Sequence, residues 1–76
     1  MNTENIVLTA REIDTLILVS YGKSNIAIGK ILYISPSTVK AHLGQIFKKL
    51  GVENRTQAVV VAIELGLIPR PNSKQP

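Results

Sequence analysis

Residues 24–51 read SNIAIGKILYISPSTVKAHLGQIFKKLG, and the few residues between Leu32 and Pro36 decide what the chain can be. Ser35-Pro36 is a helix start, because proline at the first helical position gives up no intrahelical hydrogen bond and its φ is already helical. Ser24 caps a shorter helix running to about Leu32, with Ile28, Ile31 and Leu32 spaced to face one core. Only Tyr33 and Ile34 separate that helix from Ser35, too little chain to lay two helices side by side. They should therefore cross steeply, as a helix-turn-helix over about 24–43. The second of the pair runs over about 36–50 and is stopped by Gly51.

Working outward, Thr9-x-x-Glu12 is a capping box, and Leu8 with Ile13 makes a hydrophobic staple. Apolar residues at Ile13, Leu16, Ile17 and Val19 continue that helix over roughly 10–21, and Gly22 ends it. On the other side Asn54 starts a last helix over about 55–65, with Gln57 as its capping-box partner and Gly66 beyond its end. The spacing predicts an all-α domain of four helices over 8–68, preceded by a flexible arm at 1–7. Residues 69–76, with three prolines, form a disordered tail. There is no internal repeat and no strand alternation of useful length.

Seventy-six residues leave room for a single core. With 45% hydrophobic but only 4% aromatic residues, that core must be aliphatic. The absence of cysteine removes disulfides and thiolate metal sites. The longest apolar run, Ala58 to Ile63, is far below the ~18 residues that span a bilayer. The start lacks a signal peptide's basic region, so a cytoplasmic chain with no membrane partner is expected. His42 is the single histidine, Asp14 the single aspartate, and no glycine-rich phosphate loop occurs, which argues against an enzyme, a cofactor or a small-molecule ligand within this chain. His42 reads as a hydrogen-bonding residue at the core boundary, since no second His or Cys exists to share a metal with it.

What remains is charge. Nine Lys+Arg against five Asp+Glu give a net +4, and no acid occurs from Thr15 to Val52, where Lys23, Lys30, Lys40, Lys48 and Lys49 fall. A clustered excess of this kind makes a footprint for a polyanion, although a solvated basic surface is the commoner outcome. On a 3.6-residue period Val39, Leu43, Ile46 and Leu50 form the core stripe of the third helix. The opposite face carries Ser37, Lys40, Ala41, Gly44, Gln45 and Lys48, without a carboxylate. A helix about ten ångströms across bearing such a face can enter the major groove of B-DNA. There Lys40 would donate to guanine, Ala41 would touch a thymine methyl and Gln45 would pair with adenine. Candidate phosphate contacts around it are Lys23, Ser24, Asn25, Ser35, Ser37, Thr38, His42 and Lys48, in part because helix N-termini present free amides.

Several separated blocks add a resemblance to these readings. Leu8-Thr9, Arg11-Glu12, Leu16, Gly22, Ser24-Asn25, Ile34-Ser35, Thr38-Val39-Lys40, His42, Ile46, Lys49-Leu50 and Asn54-Arg55-Thr56-Gln57-Ala58-Val59 closely resemble the LuxR-type (GerE-like) DNA-binding domain, over about 8–68. The resemblance implies a four-helix fold of the winged-helix-like group without a wing, whose third helix enters the major groove. It places base reading on Lys40, Ala41 and Gly44, with Ser35 and Thr38 near phosphates. Ala41 and Gly44 depart from the pattern by offering no hydrogen-bonding side chain, which leaves more to Lys40 and Gln45. Ala27 and Gly29 stand where the family commonly has Glu and Ala, so the second helix should be less stable by about 1 kcal/mol at the glycine.

The last helix is apolar all round. With Ala58, Val59, Ala62 and Leu65 taken as its core face, Val60 and Ile63 point outward, flanked by Thr56 and Glu64. The resemblance implies a two-fold dimer through this helix, whose candidate contacts are Thr56, Val60, Ile63, Glu64 and Leu67. Two recognition helices would then meet half-sites about one DNA turn apart. The expected function is a sequence-specific transcriptional regulator on double-stranded DNA, acting as a homodimer and able to meet RNA polymerase. The alternative is a protein-interaction module of the same fold, docking on another regulator or a polymerase subunit through Val60 and Ile63. Family members usually carry this domain behind a sensor, and no sensor fits before residue 8. A stand-alone regulator and a C-terminal piece both remain open.

Overall fold

The computed structural model describes residues 6–71, folded as α1 (Ala10–Ser20), α2 (Asn25–Leu32), α3 (Pro36–Leu50) and α4 (Arg55–Glu64). Among these residues there is no strand. Each start is capped as its residue type dictates. Ser24 Oγ accepts from the Ala27 amide, Ser35 Oγ from Thr38 and Asn54 Oδ1 from Gln57. The capping box of α1 is complete, with the Glu12 amide donating to Thr9 Oγ1 and the Thr9 amide donating to Glu12 Oε1. That of α4 is not: Gln57 Oε1 accepts from the Glu53 amide, one residue before the cap, at 2.9 Å. The Gln57 side chain thus satisfies a donor in the preceding turn instead of the cap's own amide.

Leu16, Ile28, Val39, Ile46, Ala58 and Ala62 are fully buried and draw all four helices onto one aliphatic core. The stripe Val39, Leu43, Ile46 and Leu50 faces it as expected. In α4 the expectation needs two corrections. Leu65 is exposed and Ile63 is half-buried against the core. The helix stops at Glu64, and Gly66 at φ +74 reverses the chain, so that Ile68 takes the core place assigned to Leu65. Of the expected arm and tail, only 6–7 and 69–71 lie within the described residues. Ile6 packs against the core and the Val7 carbonyl accepts from Lys49 Nζ, so these two are tied to the domain.

Gly29 also needs a different reading from a loss of helix propensity. A β-carbon there would lie 2.5 Å from the Ile34 carbonyl oxygen, so the bare Cα is what lets the turn close onto α2. The amides of Tyr33 and Ile34 both donate to the Gly29 carbonyl. The conformational strain falls on Tyr33, the one non-glycine residue with positive φ among those described, at φ 61 and ψ 42, with 93% of its surface exposed.

Glu12 joins the ends of the fold. Its Oε1 also accepts from Lys49 Nζ at 2.7 Å, linking the first turn of α1 to the last turn of α3. Burial opposes its ionisation, but the bonds from Lys49 and Thr9 outweigh that and hold its carboxyl below the usual glutamate range.

Replacing Tyr33 by glycine removes a left-handed strain and almost no packing. Tyr33→Gly should raise unfolding stability by about 0.5–1 kcal/mol in a denaturant titration, and a loss would place the strain elsewhere. A carboxylate with a depressed pKa contributes stability that is complete above its unfolded value and fades as pH falls through the folded one. Lowering the pH below about 4.5 should therefore cost the wild-type chain more stability than Glu12→Gln, as read by thermal melts across pH.

Candidate nucleic-acid interface

The same periodicity that buries one side of α3 leaves Ser37, Lys40, Ala41, Gly44, Gln45 and Lys48 exposed on the other, along more than three turns. A β-carbon at Gly44 would meet nothing within 4 Å, so no contact inside the fold demands a glycine there. Beside Gly44 runs a groove also lined by Lys40, Leu43, Phe47 and the start of α4. The first turn of α3 is ordered by Ser35 Oγ, which lies 3.0 Å from Thr38 Oγ1 while accepting the Thr38 amide. Ser35 is exposed and Thr38 half-buried. Lys23 and Ser24 are exposed at the corner that leads into α2.

Lys23, Lys30, Lys40 and Lys48 are exposed, and neither α2 nor α3 contains an acid. Lys49 does not join this surface, because its ammonium is committed to Glu12 and the Val7 carbonyl. Charges of one sign along a helix face and its flanks raise the local concentration of a polyanion. Asn25 is half-buried and its Oδ1 accepts from Arg55 Nη1, so only its amide nitrogen stays available. His42 is half-buried as well, but its buried Nδ1 has no hydrogen-bond partner, contrary to the expectation of a bonded boundary residue. Among the described residues no three His, Cys, Asp or Glu side chains gather where they could hold a metal.

Two residues outside the expected contacts also lie at this surface: Tyr33, at the tip of the turn, and Arg55, at the start of α4. Its place in Asn54-Arg55-Thr56-Gln57, directly after a helix cap, is the signal that puts it near a helix end. On α4, Thr56, Val60 and Glu64 share an exposed stripe and Ile63 is half-buried, as is Leu67 just beyond the helix.

A helix-turn-helix with a carboxylate-free, basic outer helix defines a DNA-binding class of domain, and the comparisons name the family. The chain belongs to the bacterial regulatory proteins of the luxR family, whose model matches residues 6–62. It is 48% identical over 62 residues to the transcriptional regulatory protein DegU of Brevibacillus brevis, covering 82% of this chain and 26% of that one. It is 50% identical over 58 residues to the CsgBAC operon transcriptional regulatory protein of Escherichia coli K12, covering 76% of this chain and 27% of the relative. The chain thus spans about a quarter of the length of these relatives. Among solved structures it resembles the response regulator ChrA of a heme-sensing two-component system, with a TM-score of 0.80 and 47% identity over 82% of this chain and 31% of that one. It also resembles VqmA of Vibrio cholerae, solved as a ligand–DNA complex, with a TM-score of 0.76 and 29% identity over 87% of this chain and 30% of the other.

If the face of α3 reads bases, Lys40→Ala should weaken binding to a duplex selected from a random pool by about 1–3 kcal/mol while changing binding to random duplexes far less. Equal losses in the two titrations would reduce Lys40 to a phosphate contact.

Proposed function

We propose that this chain reads double-stranded DNA with α3 in the major groove, as a homodimer on two half-sites, and so regulates transcription in the cytoplasm. The observation that carries the reading is the exposed face Ser37, Lys40, Ala41, Gly44, Gln45 and Lys48, which is basic, slender and free of carboxylates. In this arrangement Lys40 donates to guanine acceptors, Gln45 makes paired bonds to adenine and Ala41 meets a thymine methyl, while Gly44 lets the helix approach without a side chain. Lys23, Ser24, Asn25, Ser35, Ser37, Thr38, His42 and Lys48 set the register on the phosphates, which carry affinity more than sequence information.

The dimer is proposed through α4, with Val60 at its centre at 50% exposure, Thr56 and Glu64 beside it and the half-buried Ile63 and Leu67 at its edge. Association of the two copies by a small apolar contact gives a weak pair that tightens when both recognition helices are seated on one duplex. The solved relative VqmA, described as a dimer that shifts its conformation widely in the absence of target DNA, supports such a coupling. A regulator seated in this way presents its remaining surface to RNA polymerase, the partner we assign to it. The buried Leu8 and Ile68 support a working domain of about 8–68, against which Ile6 and Val7 are also held.

Binding to random duplexes should weaken steeply with salt, with a slope of about 0.9 per phosphate neutralised, in a gel-shift titration at two salt concentrations. Binding that ignores salt would overturn the proposal. Val60→Glu should abolish cooperative occupancy of paired half-sites and leave single-site binding in place. A variant with unchanged pairing by sedimentation and by footprinting would move the interface off α4.

A further inference from the structure

Arg55, the first residue of α4, is half-buried at the edge of the groove that holds Lys40 and Gly44. Its Nη1 donates to Asn25 Oδ1 and its Nη2 to the Lys23 carbonyl, each at 2.8 Å. Both acceptors are neutral. Among the described residues no carboxylate lies within ion-pair distance of the guanidinium, although Glu53 also lines the groove. A guanidinium carries five N–H donors in a rigid planar fork, so three remain after these two bonds.

A purely architectural clamp between α4 and the corner before α2 needs only hydrogen-bond donors. Here the clamp is a permanent cation, held in one orientation and left without a counter-ion on the surface where polyanion binding is already proposed. Desolvating such a charge beside a helix face is favourable only when an anion completes its shell, and the planar fork suits a phosphate in particular.

We propose that Arg55 is a phosphate-binding residue of the DNA interface. Its guanidinium is held by Asn25 and the Lys23 carbonyl so that the free N–H donors meet a backbone phosphate bordering the groove read by Lys40. The inference rests on the DNA reading above. It also gives Asn25 a different part, as the residue that aims Arg55. Because Arg55 begins the helix that bears Thr56 and Val60, the phosphate seat and the proposed dimer helix share one side chain.

The test is a titration of the whole chain against a random-sequence DNA duplex over a series of salt concentrations, comparing wild type with Arg55→Gln. Loss of one phosphate contact should lower the slope of log affinity against log salt by about 0.9. An unchanged slope overturns the proposal even if Arg55→Gln binds more weakly, because a clamp that acts only on the fold alters affinity without altering the count of released counter-ions. Where Arg55→Gln fails to melt cooperatively, isotope-edited spectra of the wild-type chain decide instead. The Arg55 guanidinium proton should shift and exchange more slowly with water on saturation with duplex, and a signal left in place overturns the proposal. Should the wild-type chain bind no duplex at low salt, the DNA reading itself falls and takes this inference with it.

Discussion

Where α2 meets α3, the Ile34 carbonyl oxygen lies 2.5 Å from the point a β-carbon on residue 29 would occupy, and that closeness governs the geometry of the motif. Only a glycine lets the connecting backbone settle onto the helix it has just left. The Gly29 carbonyl in turn receives the amides of Tyr33 and Ile34, which obliges Tyr33 to turn left-handed. Two residues later Ser35, followed by Pro36, restarts the helix with its cap already in place. The recognition helix is aimed by backbone packing at this corner, and its outer side chains take no part in the aiming.

A second constraint ties that helix at its far end. Glu12 accepts from Thr9, which starts α1, and from Lys49, which lies in the last turn of α3. One carboxylate thereby satisfies a helix cap and crosses the core boundary. Its partner is removed from the basic surface by the same bond, which is why five lysines in the acid-free span leave four exposed. The net charge of the chain is consequently a poor measure of its interface, whereas the distribution over α2, α3 and the start of α4 is a good one.

The recognition surface combines few hydrogen-bonding groups with much bare helix. Ala41 and Gly44 lie between Lys40 and Gln45, and Gly44 opens on a groove rather than on packed neighbours. In the proposed reading, such a surface places base selection on Lys40 and Gln45 and draws the remainder of the affinity from charges around it. Arg55 fits this division because it approaches from a different helix and is oriented by neutral partners.

Local rules were enough for the helices themselves. Thr9, Ser24, Ser35 and Asn54 capped where their hydroxyl and amide groups can reach the third amide onward, and Gly22, Gly51 and Gly66 ended helices because only glycine enters the left-handed region freely. The 3.6-residue period likewise placed Val39, Leu43, Ile46 and Leu50 inside and Lys40 and Gln45 outside. Two features depended on chain brought from elsewhere: the withdrawal of Lys49 onto Glu12 and the Val7 carbonyl, and the fork of Arg55 on Asn25 and the Lys23 carbonyl. A cap or a period acts over three or four residues, so the order of the amino acids determines it. Which lysine keeps its charge for a partner, and which arginine gains two acceptors 30 and 32 residues away, is decided only when distant segments pack and compete for the same polar atoms.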